Sequence, residues 1–389
     1  LETSLPYQDA YTFFSPTRLV VGRGSRAQIL DLLNTRNCST PLIVTDKGLV
    51  AAGVVELVTN HLDDAGIPYA TYDGVMPNPP IKVVDECVGA YRSGRCDSIV
   101  IVGGGSSIDT AKCAGVLATN GGEIASYFGS GNVKKRMPFT IAIPTTYGTG
   151  SEVTPFAVIT DEQNFKAAVR GDEIIPDVGL LDSDLAVRLP LPVGAATGMD
   201  ALTHAIESYV ANTSNALADA SALQAIRMIS ENIRQAASSD HNHDATEKML
   251  VASTLAGVAF SQTLLGNVHA MSHPVSGHYD VPHGVANAVL LPRIMDFNLI
   301  ACPGRFAEIA AALGEDVADL SETEAADASV DAVEALNEEL GIPETLSEAG
   351  AEADAIPVMA EDAMKSINIQ LNPRKTTLDD VVALYEESF

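Results

Sequence analysis

Residues 98–112 read SIVIVGGGSSIDTAK, and this stretch decides the fold of the first half of the chain. An unbroken apolar run gives way to three glycines and two serines, and a helical pattern carrying Asp109 and Lys112 follows. A strand apolar on consecutive positions is buried on both faces, which is the habit of a parallel sheet covered by helices. Working outward, the runs 41-PLIVTD-46, 69-YATYDGV-75, 139-FTIAIPTT-146 and 178-VGLLD-182 repeat the pattern, and the opening segment carries Leu19-Val20-Val21. Amphipathic stretches near 49–66, 80–93 and 107–118 lie between them, as crossover helices require. The pair 156-FAVITD-161 and Lys166 to Arg170 reads as a hairpin. From about Pro190 the period becomes helical, with Ala-rich amphipathic stretches and almost no β-branched alternation. The expected fold is therefore an α/β N-terminal domain with a parallel Rossmann-like sheet, residues 1–187, and an all-α C-terminal domain, residues 188–389, with a cleft between them. A chain of 389 residues exceeds what one core organises, and 46% hydrophobic residues can fill two.

Charge narrows the function classes. With 51 acidic against 23 basic residues the net charge is −28, so binding by phosphate neutralisation would meet a field of the wrong sign. Nucleic acid and anionic membrane surfaces are excluded as partners. So acidic a surface, with no Trp and few Lys, is expected to need concentrated salt to screen its self-repulsion. The acidic run from Glu315 to Asp362 reads as solvated helix faces, with Val330, Val333, Leu336 and Leu340 on one buried side and Gly341 then Pro343 as the stop. Cys38, Cys87, Cys96, Cys113 and Cys302 form an odd set without metal-finger spacing, and the N-terminus does not read as a signal peptide, so the expected compartment is the reduced cytoplasm. The apolar stretch from Met249 to Val268 is long enough to span a bilayer but salted with polar residues, and reads as a helix at a domain centre.

Gly103 to Ser107, between strand and helix, suits a phosphate cradle: glycines let backbone N–H groups approach, the helix N-terminus adds positive potential, and the serines donate. The pattern is neither GxGxxG nor a Walker loop. A second small-residue loop, 144-PTTYGTGSE-152, also follows a strand and would face the same pyrophosphate. Asp46 ends a strand, where its carboxylate can accept from an adenosine ribose. It precedes the glycine loop instead of following it, so the strand order must differ from the simplest Rossmann case. A turn-capping Asp is the other reading of that position. At the ribose, Asp46 would repel a 2′-phosphate by on the order of 4 kcal/mol at about 4 Å and effective dielectric about 20. That favours NAD over NADP roughly a thousandfold.

The second cluster lies in 197-TGMDALTHAIE-207 and 266-GNVHAMSHPVSGHYDVPHG-284. Asp200 and His204 are four apart on a helical stretch and share a face, as do His269 and His273, while His283 follows Pro282 in a turn. Four of the chain's eight histidines fall between His269 and His283. Several imidazoles and a carboxylate in apolar surroundings are costly to bury unpaired, and a divalent metal recovers that cost. Spacing alone does not say which histidine is spare.

At these residues the chain resembles the iron-containing (group III) alcohol dehydrogenases, most of all their lactaldehyde reductase/propanediol oxidoreductase branch. The resemblance runs through 41-PLIVTDKGLV-50, 76-MPNPP-80, 101-IVGGGSSIDTAK-112, 144-PTTYGTGSEVT-154, 197-TGMDALTHAIE-207, 266-GNVHAMSHPV-275, 282-PHGVANAVLLP-292 and 372-NPRKTTLDDVV-382. It implies metal ligands at Asp200, His204, His269 and His283, with His273 the nearby catalytic histidine. It also implies NAD contacts at Asp46, Asn78, Gly104, Gly105, Ser106, Thr145, Thr146, Thr149 and Lys166, and a substrate pocket lined by Phe156 and Phe260. The metal is usually Fe²⁺, with Zn²⁺ in some members, and imidazoles alone do not choose between them. Tyr147 stands where the family commonly has Ala, and Ser276 and His278 replace the usual Gly and aromatic.

The implied activity is metal-dependent, NAD-linked hydride transfer between a small primary alcohol or diol and its aldehyde or ketone, with His273 relaying the alcohol proton. Homodimers or higher oligomers are expected. A dehydroquinate synthase-like lyase would need basic residues for an acidic substrate, and the second domain is poor in them. A glycerol dehydrogenase-like enzyme differs only in substrate. A metallohydrolase would leave the glycine loops and Asp46 idle, and an acidic binding module explains neither cluster.

Overall fold

The computed structural model describes residues 10–162 and 166–389. Contacts divide the chain after Arg188, the helical unit beginning at Leu189. Residues 10–14, which the sequence reading puts with the α/β domain, belong to the helical unit. The backbone N–H of Phe14 donates to Gln262 Oε1 at 3.0 Å, and Gln262 Nε2 returns a 3.0 Å bond to Phe14 O.

Among the described residues of the first unit nine strands form two sheets: β1 Arg18–Val21, β2 Pro41–Val44, β3 Ala70–Tyr72, β4 Ser98–Gly103, β5 Gly129–Ser130, β6 Phe139–Pro144, β7 Phe156–Thr160, β8 Lys166–Arg170 and β9 Val178–Leu181. The main sheet has six strands in the order β1-β9-β6-β4-β2-β3, every pair parallel. Its helices are α1 Ile29–Asn34, α2 Lys47–Ala51, α3 Glu56–Asp64, α4 Ile81–Ser93 and α5 Gly105–Asn120. The stretch near 49–66 is thus two helices, broken at Gly53 with φ 71°. All six expected sheet strands form. Side chains alternate between two apolar layers: Leu42, Val44, Ile99 and Ile101 face one, and Ile43, Val100, Val102, Ile141 and Ile143 the other. That two-sided burial is why β2 and β4 read as continuous apolar runs.

From β2 the chain steps outward to β3, then returns to lay β4 on the other side of β2 and proceeds through β6 to β9. The direction reverses between β2 and β4, and ligands of open parallel sheets gather at such a switch, beyond the strands' carboxyl ends. Val44 pairs with Ile101 and Gly103 with Pro144, so Asp46, the glycine loop and Thr145 follow the ends of adjacent strands. The expected departure from the simplest Rossmann order is found here: Asp46 follows β2, the neighbour of β4 that precedes it in the chain, and β1 lies at the far edge beside β9. The antiparallel pair β7 and β8 forms a second sheet with β5, and residues 163–165 between them lie outside the described residues.

The helical unit contains α6 Leu191–Val210, α7 Ala216–Ala237, α8 His243–Thr263, α9 Asn267–Tyr279, α10 His283–Leu299, α11 Pro303–Leu313, α12 Glu322–Leu340, α13 Ile356–Ala363, α14 Asn368–Leu371 and α15 Leu378–Ser388. No strand occurs among its described residues. The apolar stretch from Met249 is α8 followed by α9 at a 106° bend, and no single helix among the described residues is long and apolar enough to cross a membrane. On α12, Val333, Leu336 and Leu340 are buried, Val330 is half-buried, and Gly341 closes the helix at φ 69°. All five cysteines are buried and free. The expected N-terminal reading on signal sequence concerns residues that lie mostly outside the described ones.

Candidate active site

The glycine loop is shaped by close approach. Gly104 caps α5 and no side chain closes that cap, so the first-turn N–H groups stay open to a ligand. A Cβ on Gly103 would come 2.3 Å from Ser107 Oγ, one on Gly104 3.0 Å from Thr146 Oγ1, and one on Gly105 2.6 Å from Thr149 Cγ2. The loop after β6 therefore lies directly on the loop after β4, joined by Thr145 N to Gly103 O at 3.1 Å. Gly104 thus lies against Thr146, Gly105 against Thr149, and Ser106 follows in the first turn of α5.

Asp46 proves to be the N-cap of α2, its Oδ1 accepting from Leu49 N at 3.0 Å. The two readings of this residue are compatible, because one oxygen caps and Oδ2 makes no hydrogen bond among the described residues. Asn78 and Lys166 are held on the hairpin side. Asn78 adopts φ 48°, its carbonyl accepts from Thr160 Oγ1 at 3.1 Å, and Thr160 pairs with Lys166 across β7 and β8. Phe156 opens β7, half-buried, with the Arg170 guanidinium 5.2 Å from its ring centre.

In the helical unit α6 supplies Asp200 and His204, α9 supplies His269 and His273, and α10 begins at His283. Asp200 Oδ1 stands 3.8 Å from Nε2 of each of His204, His269 and His283. Ligand atoms of Asp200, His269 and His283 all lie within 4.8 Å of one another. His204 stacks between Phe260 and His269, 4.5 Å from each ring centre, so Phe260 is an apolar wall on the cluster. His273 stacks on His283 at 5.2 Å and meets His269 edge-on at 6.0 Å.

Two residues that the sequence reading gave no role complete the arrangement. Buried Glu207 places Oε2 2.5 Å from His269 Nδ1 and accepts from Val268 N with Oε1 at 2.6 Å. The His269 proton is thereby assigned to Nδ1, and the Nε2 lone pair faces Asp200. Burial pushes the Glu207 carboxyl up to about 7, against the backbone N–H groups of Val268 and Gly266. Asn287 Nδ2 donates to Asp200 Oδ1 at 2.7 Å and lies 3.2 Å from Nε2 of both His269 and His283. One amide offers two protons to three acceptors, while Asn287 Oδ1 stays buried without a partner. A carboxylate and imidazole nitrogens converging on one point form the donor set of a first-row divalent cation, and they fit one. A signal for Glu207 was present in the sequence: it lies three and seven residues beyond His204 and Asp200, on the same helical face. Asn287, four beyond His283, carried the same signal.

Residues 16–183 match the model of the iron-containing alcohol dehydrogenases, and residues 194–389 match that of the C-terminal part of the Fe-containing alcohol dehydrogenase family. The chain belongs to the iron-containing alcohol dehydrogenase family. It is 42% identical to 1,3-propanediol dehydrogenase of Klebsiella pneumoniae over 380 residues, 97% of this chain and 96% of that one. It is 41% identical to lactaldehyde reductase of Escherichia coli (strain K12) over 95% of this chain and 97% of that protein. The NAD-dependent methanol dehydrogenase of Bacillus methanolicus is 40% identical over 97% and 99%. The solved structure of a 1,3-propanediol oxidoreductase superposes with TM-score 0.95 at 40% identity, covering 98% of this chain and all of that one. As an iron-containing alcohol dehydrogenase the chain is an oxidoreductase, and its parallel sheet and helical second half are those of the family's solved structures.

Proposed function

We propose that this enzyme transfers hydride between a small primary alcohol or diol and its aldehyde or ketone, with NAD as partner and a divalent metal, Fe²⁺ or Zn²⁺, as resident cofactor. The observation that carries the reading is the equal 3.8 Å spacing of three imidazole nitrogens around Asp200 Oδ1. Asp200, His204, His269 and His283 hold the ion, which when bound supplies a Lewis acid for the alcohol oxygen. Glu207 and Asn287 orient His269 and Asp200, so the ligand set is aimed before substrate arrives. His273, half-buried beside His283, takes the alcohol proton and passes it to solvent.

The N–H groups of Gly105 and Ser106 and the hydroxyls of Thr145, Thr146 and Thr149 would hold the phosphates of the dinucleotide. Asp46 Oδ2 would accept from its ribose, and Asn78 and Lys166, linked through Thr160, would complete the site. Phe260, stacked on the ligand imidazole of His204, keeps the substrate small. Relatives named for propanediol, lactaldehyde and methanol share this scale of substrate.

Self-association is supported by β1, an edge strand whose Leu19 and Val21 are 43% and 47% exposed. Pairing of two such edges extends the sheet, so a homodimer is the proposed assembly. The −28 charge argues against nucleic acid and anionic membranes as partners, and five buried thiols favour the reducing cytoplasm.

The deciding experiment follows NADH absorbance with 1,2-propanediol, 1,3-propanediol, glycerol and simple alcohols, using chelated protein reloaded with Fe²⁺ or Zn²⁺ in high salt. Metal-dependent NADH formation is expected. Its absence in both directions, with metal and NAD both bound, would overturn the reading in favour of a lyase.

A further inference from the structure

Lys112 is fully buried, yet it is not among the groups that the proposed reaction uses. Its Nζ donates to Phe156 O at 2.7 Å, to Ser151 Oγ at 2.9 Å and to Thr154 O at 2.9 Å, with Thr154 Oγ1 at 3.3 Å. An ammonium has three protons, and three short partners use them all. Asp109, one turn earlier on α5, takes the other side of the same segment: Oδ1 accepts from Ser151 Oγ at 2.7 Å and Oδ2 from Val158 N at 2.9 Å. Ser151 Oγ must give its only proton to the carboxylate, so it can only accept from Lys112.

These contacts close a ring through the nucleotide loops. Ser151 N donates to Thr149 Oγ1 at 3.2 Å, and Thr149 Cγ2 lies so close to Gly105 that a Cβ there would come within 2.6 Å of it. Gly105 opens α5, the helix that carries Lys112 two turns on. The ring runs from Gly105 along α5 to Lys112, across to Ser151, back to Thr149 and onto Gly105. The segment from Thr149 to Pro155 belongs to no strand or helix, so no ladder of backbone bonds fixes its distance from the glycine loop. Burying an ammonium and a carboxylate is costly, and an apolar side chain would fill that face of α5 without the cost. What the apolar side chain lacks is directed donors to two backbone carbonyls and a hydroxyl.

We propose that Lys112, acting with Asp109 through Ser151, is a positioning residue that holds the Thr149–Phe156 segment against the glycine loop and thereby sets dinucleotide affinity. This rests on the nucleotide reading of the two loops. Lys112 touches neither cofactor nor substrate in this account, and its effect is confined to the spacing of the groups that do.

The test uses the metal-loaded enzyme and its Lys112→Met and Ser151→Ala variants. NADH affinity is read from the fluorescence of bound NADH, which no Trp in this chain obscures. Binding of NADH to the parent tests the nucleotide reading itself. With that established, Lys112→Met is expected to raise the NADH Kd and the KM for NAD by about tenfold or more, and Ser151→Ala by about three- to tenfold. The KM for alcohol, the metal content and kcat at saturating NAD should stay within about threefold. A merely structural role lowers the active fraction, hence kcat and metal content, with KM for NAD unmoved, and that pattern overturns the proposal. Should Lys112→Met not fold, Ser151→Ala decides, since it keeps both charges and removes one hydroxyl. A folded Ser151→Ala enzyme with NADH affinity within about twofold of the parent overturns it equally.

Discussion

Glu207 Oε2 lies 2.5 Å from His269 Nδ1 at a site where both side chains are buried. The carboxylate fixes the ring's proton and its rotation, and so the direction of the Nε2 lone pair towards Asp200. Glu207→Gln keeps the shape and the bond to Val268 N but loses the charge that makes the imidazole a stronger donor. Metal affinity should fall by about 10–100-fold, measured by competition with a chelator, while circular dichroism stays unchanged. Unaltered metal retention would mean that Glu207 serves only the backbone of α9.

Gly105 has no room for a methyl group. In Gly105→Ala the new Cβ would meet Thr149 Cγ2 at 2.6 Å, so one of the two loops must shift. The expected result is loss of NADH affinity by about tenfold or more with the metal content intact. Titration of NADH against the metal-loaded variant checks it, and parental affinity would show that the loops give way at no cost.

Asp46 caps α2 and, in the proposed binding mode, offers its second oxygen to a ribose; Asp46→Ser separates the two tasks because Ser also caps helices. Stability should change little. The preference for NAD over NADP, on the order of a thousandfold from charge repulsion, should collapse towards unity. The ratio of kcat/KM for the two cofactors measures this, and an unchanged ratio places the carboxylate away from the ribose.

His273 packs on His283 and, like His204, lies outside the three residues whose ligand atoms are all within 4.8 Å of one another, but His204 Nε2 stands 3.8 Å from Asp200 Oδ1. His273→Ala should retain metal and lower turnover about 10²-fold or more, with loss of the limb of the pH profile that reports the relay. Unchanged turnover and pH profile would reduce this residue to a wall of the pocket.

With 51 acidic residues against 23 basic, the folded chain repels itself at low ionic strength. Raising KCl from about 0.1 M, where the Debye length is about 10 Å, to molar concentrations should raise Tm. A Tm that stays level or falls in differential scanning would show that the acidic surface carries no salt requirement.

The sequence by itself determined the elements and the donor inventory. Runs such as 98-SIVIVG-103 are apolar at every position because β4 is covered on both faces, and that composition is legible without coordinates. The spacing of Asp200 with His204, and of His269 with His273, is a property of the helical repeat and needs no tertiary information. Only the tertiary structure decided how these pieces converge. Nothing in the local pattern of β1 says that it pairs with β9 at the far edge, nor that β4 lies beside β2 to create the switch at Asp46, because register and strand order come from long-range packing. The same holds for Glu207, Asn287 and Lys112. Each is an unexceptional residue on a helical face, and its role exists only where a second element brings His269, Asp200 or Ser151 within hydrogen-bond reach. Hydrogen bonds act over about 3 Å, a distance that sequence separation does not encode and that the packing of whole elements sets.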